Sequence, residues 1–161
     1  MPTRKFPLLM ADIHHTIEIL ALPSRVYEAL TTAGGIRGWW TEDADLEEVI
    51  DGKGVFRFDY SGTVETIVRI ISLEANRLVQ WQVETSFRPE QNGTIISFSL
   101  LQEAKITRVV FMQIGYSKAD KTFDLMTTGW AYYLVSLKRL LEAGKGAPSP
   151  HLDFTIMDRK I

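Results

Sequence analysis

Apolar and polar residues alternate through most of this chain, and only towards its C-terminal end does the spacing change to that of a helix. In the stretch from Ile13 to Ala21, the residues Ile13, His15, Ile17, Ile19 and Ala21 share one parity, the mark of a strand with one buried face. Pro23 ends that strand, because proline cannot donate to a ladder. Ser24 reads as an N-cap for a helix over residues 25–31 that turns Val26, Ala29 and Leu30 inward. Gly34-Gly35 interrupts it, and a second short helical turn is expected over residues 36–40.

From residue 45 onward the pattern predicts a meander with strands over 45–50, 55–60, 63–73, 78–85, 94–102 and 107–116. Turn chemistry separates them at Asp51-Gly52-Lys53-Gly54, Ser61-Gly62, Glu74-Ala75-Asn76-Arg77 and Pro89-Glu90-Gln91-Asn92-Gly93. Asn92-Gly93-Thr94 also matches a glycosylation acceptor, but between two strands it reads as a hairpin turn. Connections this short make antiparallel pairs, since a parallel pair needs a long crossover. Phe56, Phe58 and Tyr60 share one face, as do Val79, Trp81 and Val83, and Ile96, Phe98 and Leu100; Arg57, Asp59, Gln80, Gln82, Glu84, Ser97 and Ser99 take the other. Every strand therefore offers an apolar face to a common partner and a polar face to water.

That partner comes last. Ser117-Lys118-Ala119-Asp120 reads as a capping sequence with an acid at the third helical position. Phe123, Met126, Trp130, Leu134, Leu137 and Leu141 follow at spacings of three and four, a continuous apolar stripe that Gly144 stops. About 25 residues make a helix roughly 38 Å long, enough to cross a seven-stranded sheet. The expected fold is α+β: a seven-stranded curved antiparallel sheet wrapped on one long C-terminal helix, with two short helices after the first strand. Residues 1–161 read as one domain, with 1–11 as an N-terminal extension and 145–161 as a linker and tail. In that tail His151-Leu152-Asp153-Phe154-Thr155-Ile156 alternates, and an alternating segment beyond a linker is expected to dock on its own sheet edge or on a second copy of the chain, so a homodimer is one reading.

Composition narrows the chemistry. At 161 residues and 45% hydrophobic content the chain can bury a core without a metal or disulfide staple. Eighteen Lys and Arg against 20 Asp and Glu leave a net charge of −2, and the absence of a basic cluster argues against a nucleic-acid partner. The absence of cysteine removes thiolate metal sites and a cysteine nucleophile. Arg4 and Lys5 precede only a short apolar run broken by Pro7, not the core of a signal peptide. No apolar stretch approaches 18 residues, so no membrane span is expected. The expected location is the cytoplasm.

Several local patterns, in order, carry a resemblance. Residues 19–31, with Ala21-Leu22-Pro23 followed by Val26-Tyr27-Glu28-Ala29-Leu30-Thr31, resemble the strand-to-helix opening of the activator of heat-shock-protein-90 ATPase homologue family. Gly38-Trp39-Trp40 is similar to its paired tryptophans, Gly54-Val55-Phe56-Arg57-Phe58 to its Gly-x-Phe-x-Phe strand, and Gly129-Trp130 with Leu134, Leu137, Leu140 and Leu141 to its closing helix. The resemblance spans about residues 13–144. It implies a START-like, birch-pollen-allergen-like helix-grip fold with a cavity between sheet and long helix. It also implies either a binder of small apolar molecules, a cyclase-like enzyme, or a co-chaperone-like module with a chaperone partner. Many relatives carry a histidine before the closing Gly-aromatic pair, where this chain has Gln113-Ile114-Gly115-Tyr116, so an acid–base role for that histidine does not transfer.

Candidate chemistry is sparse. General acid–base work needs titratable groups converging in a pocket, and His15 is the one histidine with inward parity. It is a candidate catalytic residue for a cyclase- or hydrolase-like reaction, or else a strand histidine bonded to backbone or water. No ligand spacing for a metal occurs, no phosphate loop, and no nucleophile elbow, so neither metal nor cofactor is expected. The aromatic set either fills a core or lines a cavity, because a curved sheet under one long helix leaves space that side chains fill only in part. On the second reading the sheet contributes Trp81, Phe98 and Phe111 and the helix Met126, Trp130 and Tyr133, with Gln113 and Tyr133 supplying polar contacts to a small apolar ligand.

Overall fold

The computed structural model describes residues 10–60 and 62–151. β1 (Ala11–Ile19) is followed by helices α1 (Pro23–Thr31) and α2 (Ala33–Trp39). Six strands come next: β2 (Asp43–Leu46), β3 (Lys53–Asp59), β4 (Thr63–Glu74), β5 (Leu78–Ser86), β6 (Ile95–Glu103) and β7 (Ile106–Tyr116). The long helix α3 (Lys121–Ala143) closes the order. All strands form one antiparallel sheet in the order β1-β7-β6-β5-β4-β3-β2. Consecutive strands from β2 to β7 are hairpin neighbours, and β1 returns to pair with β7. This is the α+β helix-grip arrangement that the sequence pattern leads one to expect.

Binary patterning decides which face is covered. Phe56 and Phe58, Val79, Trp81 and Val83, Ile96 and Phe98, and Val109 and Phe111 are all buried beneath the helices. The opposite face is solvated and laced with ion pairs. Arg57 bonds Asp43, Asp45 and Glu65 at 3.0–3.2 Å, and Arg108 reaches Glu18 and Glu103. Hydrogen bonds to Asp43 and Asp45 hold the Arg57 guanidinium above its usual range.

Local chemistry shifts several boundaries. α1 starts at Pro23 with Leu22 as an N-cap that makes no side-chain bond; proline already has helical φ and no N–H to satisfy, so Ser24 is not the cap. The break between the helices falls at Thr32, whose hydroxyl accepts from the Gly35 N–H at 2.9 Å. Gly34 and Gly35 therefore lie inside α2 rather than between helices. A side chain on Gly35 would stand 2.6 Å from Ala29 Cα, so the close α1–α2 crossing requires glycine there. β2 occupies Asp43–Leu46, earlier than the expected 45–50. α3 is capped by Asp120 itself, whose carboxylate accepts from the Phe123 N–H at 3.0 Å, so the acid is the cap and not the third helical residue. Gly144 ends α3 in the left-handed conformation at φ 83°.

The segment after α3, a linker by composition, is fixed against the body as far as it is described. Ser136 Oγ donates to Trp39 O at 2.8 Å and accepts from the Ala147 N–H at 2.7 Å. Ser149 pairs with the end of α2, its N–H donating to Trp40 O and its carbonyl accepting from the Glu42 N–H. The alternating tail beyond His151 lies outside the described residues.

Candidate functional site

Most of the space between sheet and α3 is filled. Trp40, carried at the end of α2, stacks on Trp39 (5.9 Å between ring centroids), Trp81 (5.7 Å) and Trp130 (5.1 Å). Phe98 meets Trp81 and Phe111 edge-on at 5.3 and 5.2 Å, and Phe111 packs on Trp130 at 4.4 Å. Such arrangements add to the area that aromatic rings bury. Trp81, Phe98 and Phe111, expected as cavity lining, are fully buried in this stack.

A pocket lined by described residues lies beside the stack, towards the N-terminal half of α3. It is half-open, with a cavity volume of about 50 Å³. That volume would hold a few waters at most. The sheet side supplies Phe58, Thr66 and Ile96, and α2 ends at the pocket with Trp40. α3 supplies Met126, Gly129, Trp130 and Tyr133, residues at i, i+3, i+4 and i+7 that share one helix face. Gly129 is buried in the middle of that face and lines the pocket.

The mouth is polar on one side. Arg88 Nη2 donates to the Tyr60 hydroxyl at 2.9 Å, and the guanidinium lies 5.3 Å from the Tyr60 ring centroid and 5.8 Å from that of Phe87. Those contacts are within cation–π range. The carrier is the loop from β5 to β6, which includes a short 3₁₀ turn at Pro89–Gln91. Ser86 Oγ accepts from the Arg88 N–H and from Gln91 Nε2, while the Ser86 N–H donates to Asn92 Oδ1 at 2.8 Å. The Phe87 N–H extends the ladder to Glu65 O. Arg88 thus stands on a loop held by its own side chains.

Behind the pocket wall lies a buried polar hub. Gln113 Oε1 accepts from the Trp130 indole N–H and from the Tyr116 hydroxyl, both at 2.9 Å. Its Nε2 donates to Thr94 Oγ1 at 2.9 Å and to Gln91 Oε1 at 3.2 Å. These four bonds use the whole capacity of the amide. The hub depends on an irregularity in β7: Ile13 pairs with Gln113 but Ala11 with Tyr116, so β7 carries one extra residue. Gly115 at φ 102° takes up the bulge, and Asp12 Oδ1 accepts its N–H at 3.0 Å. As a result Gln113 and Tyr116 both face inward, which strict alternation forbids.

With this geometry in hand, comparison with known proteins is decisive about kinship. Residues 21–142 match the model of the family described as Activator of Hsp90 ATPase homolog 1-like protein. The chain belongs to that family. The Aha1 dimer from Colwellia psychrerythraea, known in solution, is 36% identical over 85% of this chain and 100% of its own, with a TM-score of 0.76. A protein from Mesorhizobium loti (16% identity, 83% and 98% covered, TM-score 0.71) and CalU16 from Micromonospora echinospora (15%, 88% and 78%, 0.68) share the fold. None of the curated proteins compared with the chain matches it. The family match contains every residue lining the pocket and all of the hub, but not β1 or the segment from Lys145 to His151.

Within this family fold, the residues singled out from sequence separate into three groups. Met126, Trp130 and Tyr133 line the pocket. Trp81, Phe98 and Phe111 lie in the stack, and Gln113 stands behind the wall. His15 sits in the seam between β1 and α3: its Nε2–H donates to Thr127 O at 2.8 Å and its ring stacks on Phe111 at 6.3 Å. It is not among the lining residues. Burial raises the phenol pKa of both Tyr116 and Tyr133, the nearby charge of Asp120 adding to the effect at Tyr116, so both hydroxyls stay protonated. Among the described residues no His, Asp and Glu group is arranged to hold a metal ion, and no helix is long and apolar enough to cross a membrane. Arg88 and Gln91 escape sequence reasoning because the loop that carries them has no periodicity; Pro89 and Asn92-Gly93 mark it only as a turn. Alternation places Tyr60 on the face of Phe56 and Phe58 but does not mark it as a site residue.

Proposed function

We propose that this chain binds a small apolar or aromatic molecule in the pocket between the sheet and α3 and performs no covalent chemistry on it. One observation carries the reading: a buried glycine, the ninth residue of the 23-residue helix α3, lines an otherwise aromatic and aliphatic stretch of the pocket wall together with Met126, Trp130 and Tyr133. Glycine there costs the helix about 1 kcal/mol relative to alanine, a cost that an open pocket explains. The described lining residues include no His, Asp or Glu, so among them no acid–base pair converges on a guest. Native mass spectrometry of protein purified without organic solvent tests the proposal: an adduct that disappears on solvent extraction, and that Gly129→Leu protein lacks, is the expected result. Equal adducts in the two proteins, or none together with no uptake of added octanamide, would overturn it.

A second reading concerns partners. The Colwellia relative is described as a dimer and the family by a chaperone ATPase. On that basis we infer self-association of this chain and, as an alternative role, stimulation of an Hsp90-type ATPase. Sedimentation equilibrium and an ATPase assay with the purified chaperone test the two separately: a monomer at every concentration rejects the first, and an unchanged ATPase rate rejects the second.

A further inference from the structure

The hydrogen bonds around Gln91 run in one direction, and a group that can only donate sets it. The Trp130 indole N–H donates to Gln113 Oε1, which fixes the Gln113 carboxamide: its oxygen accepts and its Nε2 donates. That Nε2 reaches Thr94 Oγ1 and Gln91 Oε1 at 2.9 and 3.2 Å, so the Gln91 amide is fixed in turn. Turning either amide over would set donor against donor. Gln91 Nε2 therefore faces Ser86 Oγ and donates to it at 3.0 Å.

Ser86 Oγ also accepts the Arg88 backbone N–H at 3.2 Å. A hydroxyl oxygen has two lone pairs, and these two donors occupy both. In the 3.4 Å contact between Ser86 Oγ and Thr66 Oγ1, Ser86 is thus the donor and Thr66 the acceptor. The hydrogen of the Thr66 hydroxyl is left over. Thr66 shares the inward face of β4 with Val68 and Ile70, is only 5% exposed, and lines the pocket. Among the described residues no acceptor for that hydrogen is in place. A buried hydroxyl hydrogen without an acceptor is unfavourable, and an oxygen on a guest in the pocket would relieve it.

We propose that the pocket selects an apolar or aromatic molecule that carries a carbonyl oxygen, with Thr66 donating to that oxygen and the body lying against Phe58, Met126 and Trp130. This rests on the pocket's being a ligand site, and it adds the chemical class of the ligand. The buried hub at Gln113 then does more than support a wall, because through Gln91 and Ser86 it turns the Thr66 hydroxyl into a donor towards the guest.

The test compares acetophenone with α-methylstyrene, in which a methylidene group replaces the carbonyl oxygen on the same frame. Each is titrated by NMR or calorimetry at pH 7 into wild type, Thr66→Val and Thr66→Ser. Each compound is compared between proteins, so its own solvation in water cancels. Thr66→Val keeps the volume and removes the hydroxyl. It should weaken acetophenone binding by at least about fivefold and leave α-methylstyrene within about twofold, which also shows that the pocket remains folded. Thr66→Ser keeps the hydroxyl and should bind acetophenone within about twofold of wild type. The carbonyl stretch of bound ¹³C-labelled acetophenone, isolated by difference against the unlabelled compound, should lie lower in the wild type than in hexane. Equal effects of Thr66→Val on the two compounds, or a wild-type stretch at the hexane value, would overturn the proposal and leave the binding function standing. Failure of both compounds to bind the wild type would overturn both.

Discussion

Gln113 holds Trp130 by its indole N–H at 2.9 Å, so a residue that never touches the pocket fixes one of its walls. The same amide bonds Gln91, which lines the opposite side, and so a single buried side chain sets the position of both. Removing it takes from the Trp130 N–H its described acceptor, whereas the Tyr116 hydroxyl keeps Gln91 Oε1 at 3.4 Å and Thr94 Oγ1 goes on donating to Gln91 O at 2.6 Å. Each buried polar group left unsatisfied costs about 1–3 kcal/mol. Gln113→Leu is therefore expected to destabilise the fold by about 1–3 kcal/mol, measured by urea denaturation, and to broaden the Trp130 indole resonance. A loss below about 1 kcal/mol would show that the hub is replaceable.

Gly115 makes the hub possible. At φ 102° a side chain is strained by about 1–3 kcal/mol. Gly115→Ala should lower stability by that amount and weaken the Tyr116–Gln113 bond. The exchange rate of the Gly115 amide, now held by Asp12, provides the readout in the paired variant Asp12→Ala, where it should rise at least tenfold.

Gly129 tests pocket and stability in opposite directions. Gly129→Ala should raise helix stability by about 0.5–1 kcal/mol, seen as a higher midpoint of thermal unfolding. Gly129→Leu should keep the fold and abolish uptake of octanamide. Undiminished uptake by the leucine variant would place the guest elsewhere.

Alkaline pH reports on the buried phenols. In the folded chain Tyr116 and Tyr133 have pKa values above the ordinary value of about 10, whereas in the unfolded chain they ionise near it. Above that pH the unfolded state binds fewer protons, so stability is full below about pH 10 and falls as pH rises beyond it. Tyr133→Phe, which keeps the ring, should make the decline shallower; an unchanged slope would mean that the phenol ionises in place.

His15→Ala measures a seam rather than a reaction. The bond to Thr127 O and the contact with Phe111 predict a loss of about 1–2 kcal/mol, with ligand affinity at the pocket unchanged within twofold.

Much of this fold is visible in the order of residues because two periods dominate it. Phe56 and Phe58, Val79 and Trp81, and Ile96 and Phe98 announce their faces by alternation, and the stripe from Phe123 to Leu141 announces α3. What escapes is set by single residues that interrupt a period. Alternation turns Tyr116 outward, and only the bulge at Gly115 turns it in. The glycine is a visible signal in a strand, but its register consequence needs the partner strand. Asp120, expected as the third-position acid, is the cap in place of Ser117, because either residue type can cap a helix and the pattern does not fix which one does. Ser149, in a stretch that reads as linker, is buried against Trp40 by backbone pairing that no side-chain pattern encodes. For the site, Met126, Trp130 and Tyr133 are legible as a helix face. Trp81, Phe98 and Phe111 look identical to them in sequence, because core and pocket draw on the same side chains. Gln113 stands out as an inward polar residue, yet whether it serves a ligand or a network depends on Tyr116, Thr94 and Gln91 arriving from other elements.

The four tryptophans provide the most direct measurement of the central claim. Trp40 and Trp130 line the pocket, whereas Trp39 and Trp81 are packed behind it. In an indole-detected ¹H–¹⁵N NMR titration with octanamide, the account predicts saturable shifts of the Trp40 and Trp130 resonances, lost in Gly129→Leu, with Trp39 and Trp81 moving least. Equal shifts of all four, or saturable binding that leaves Trp40 and Trp130 unmoved, would contradict it.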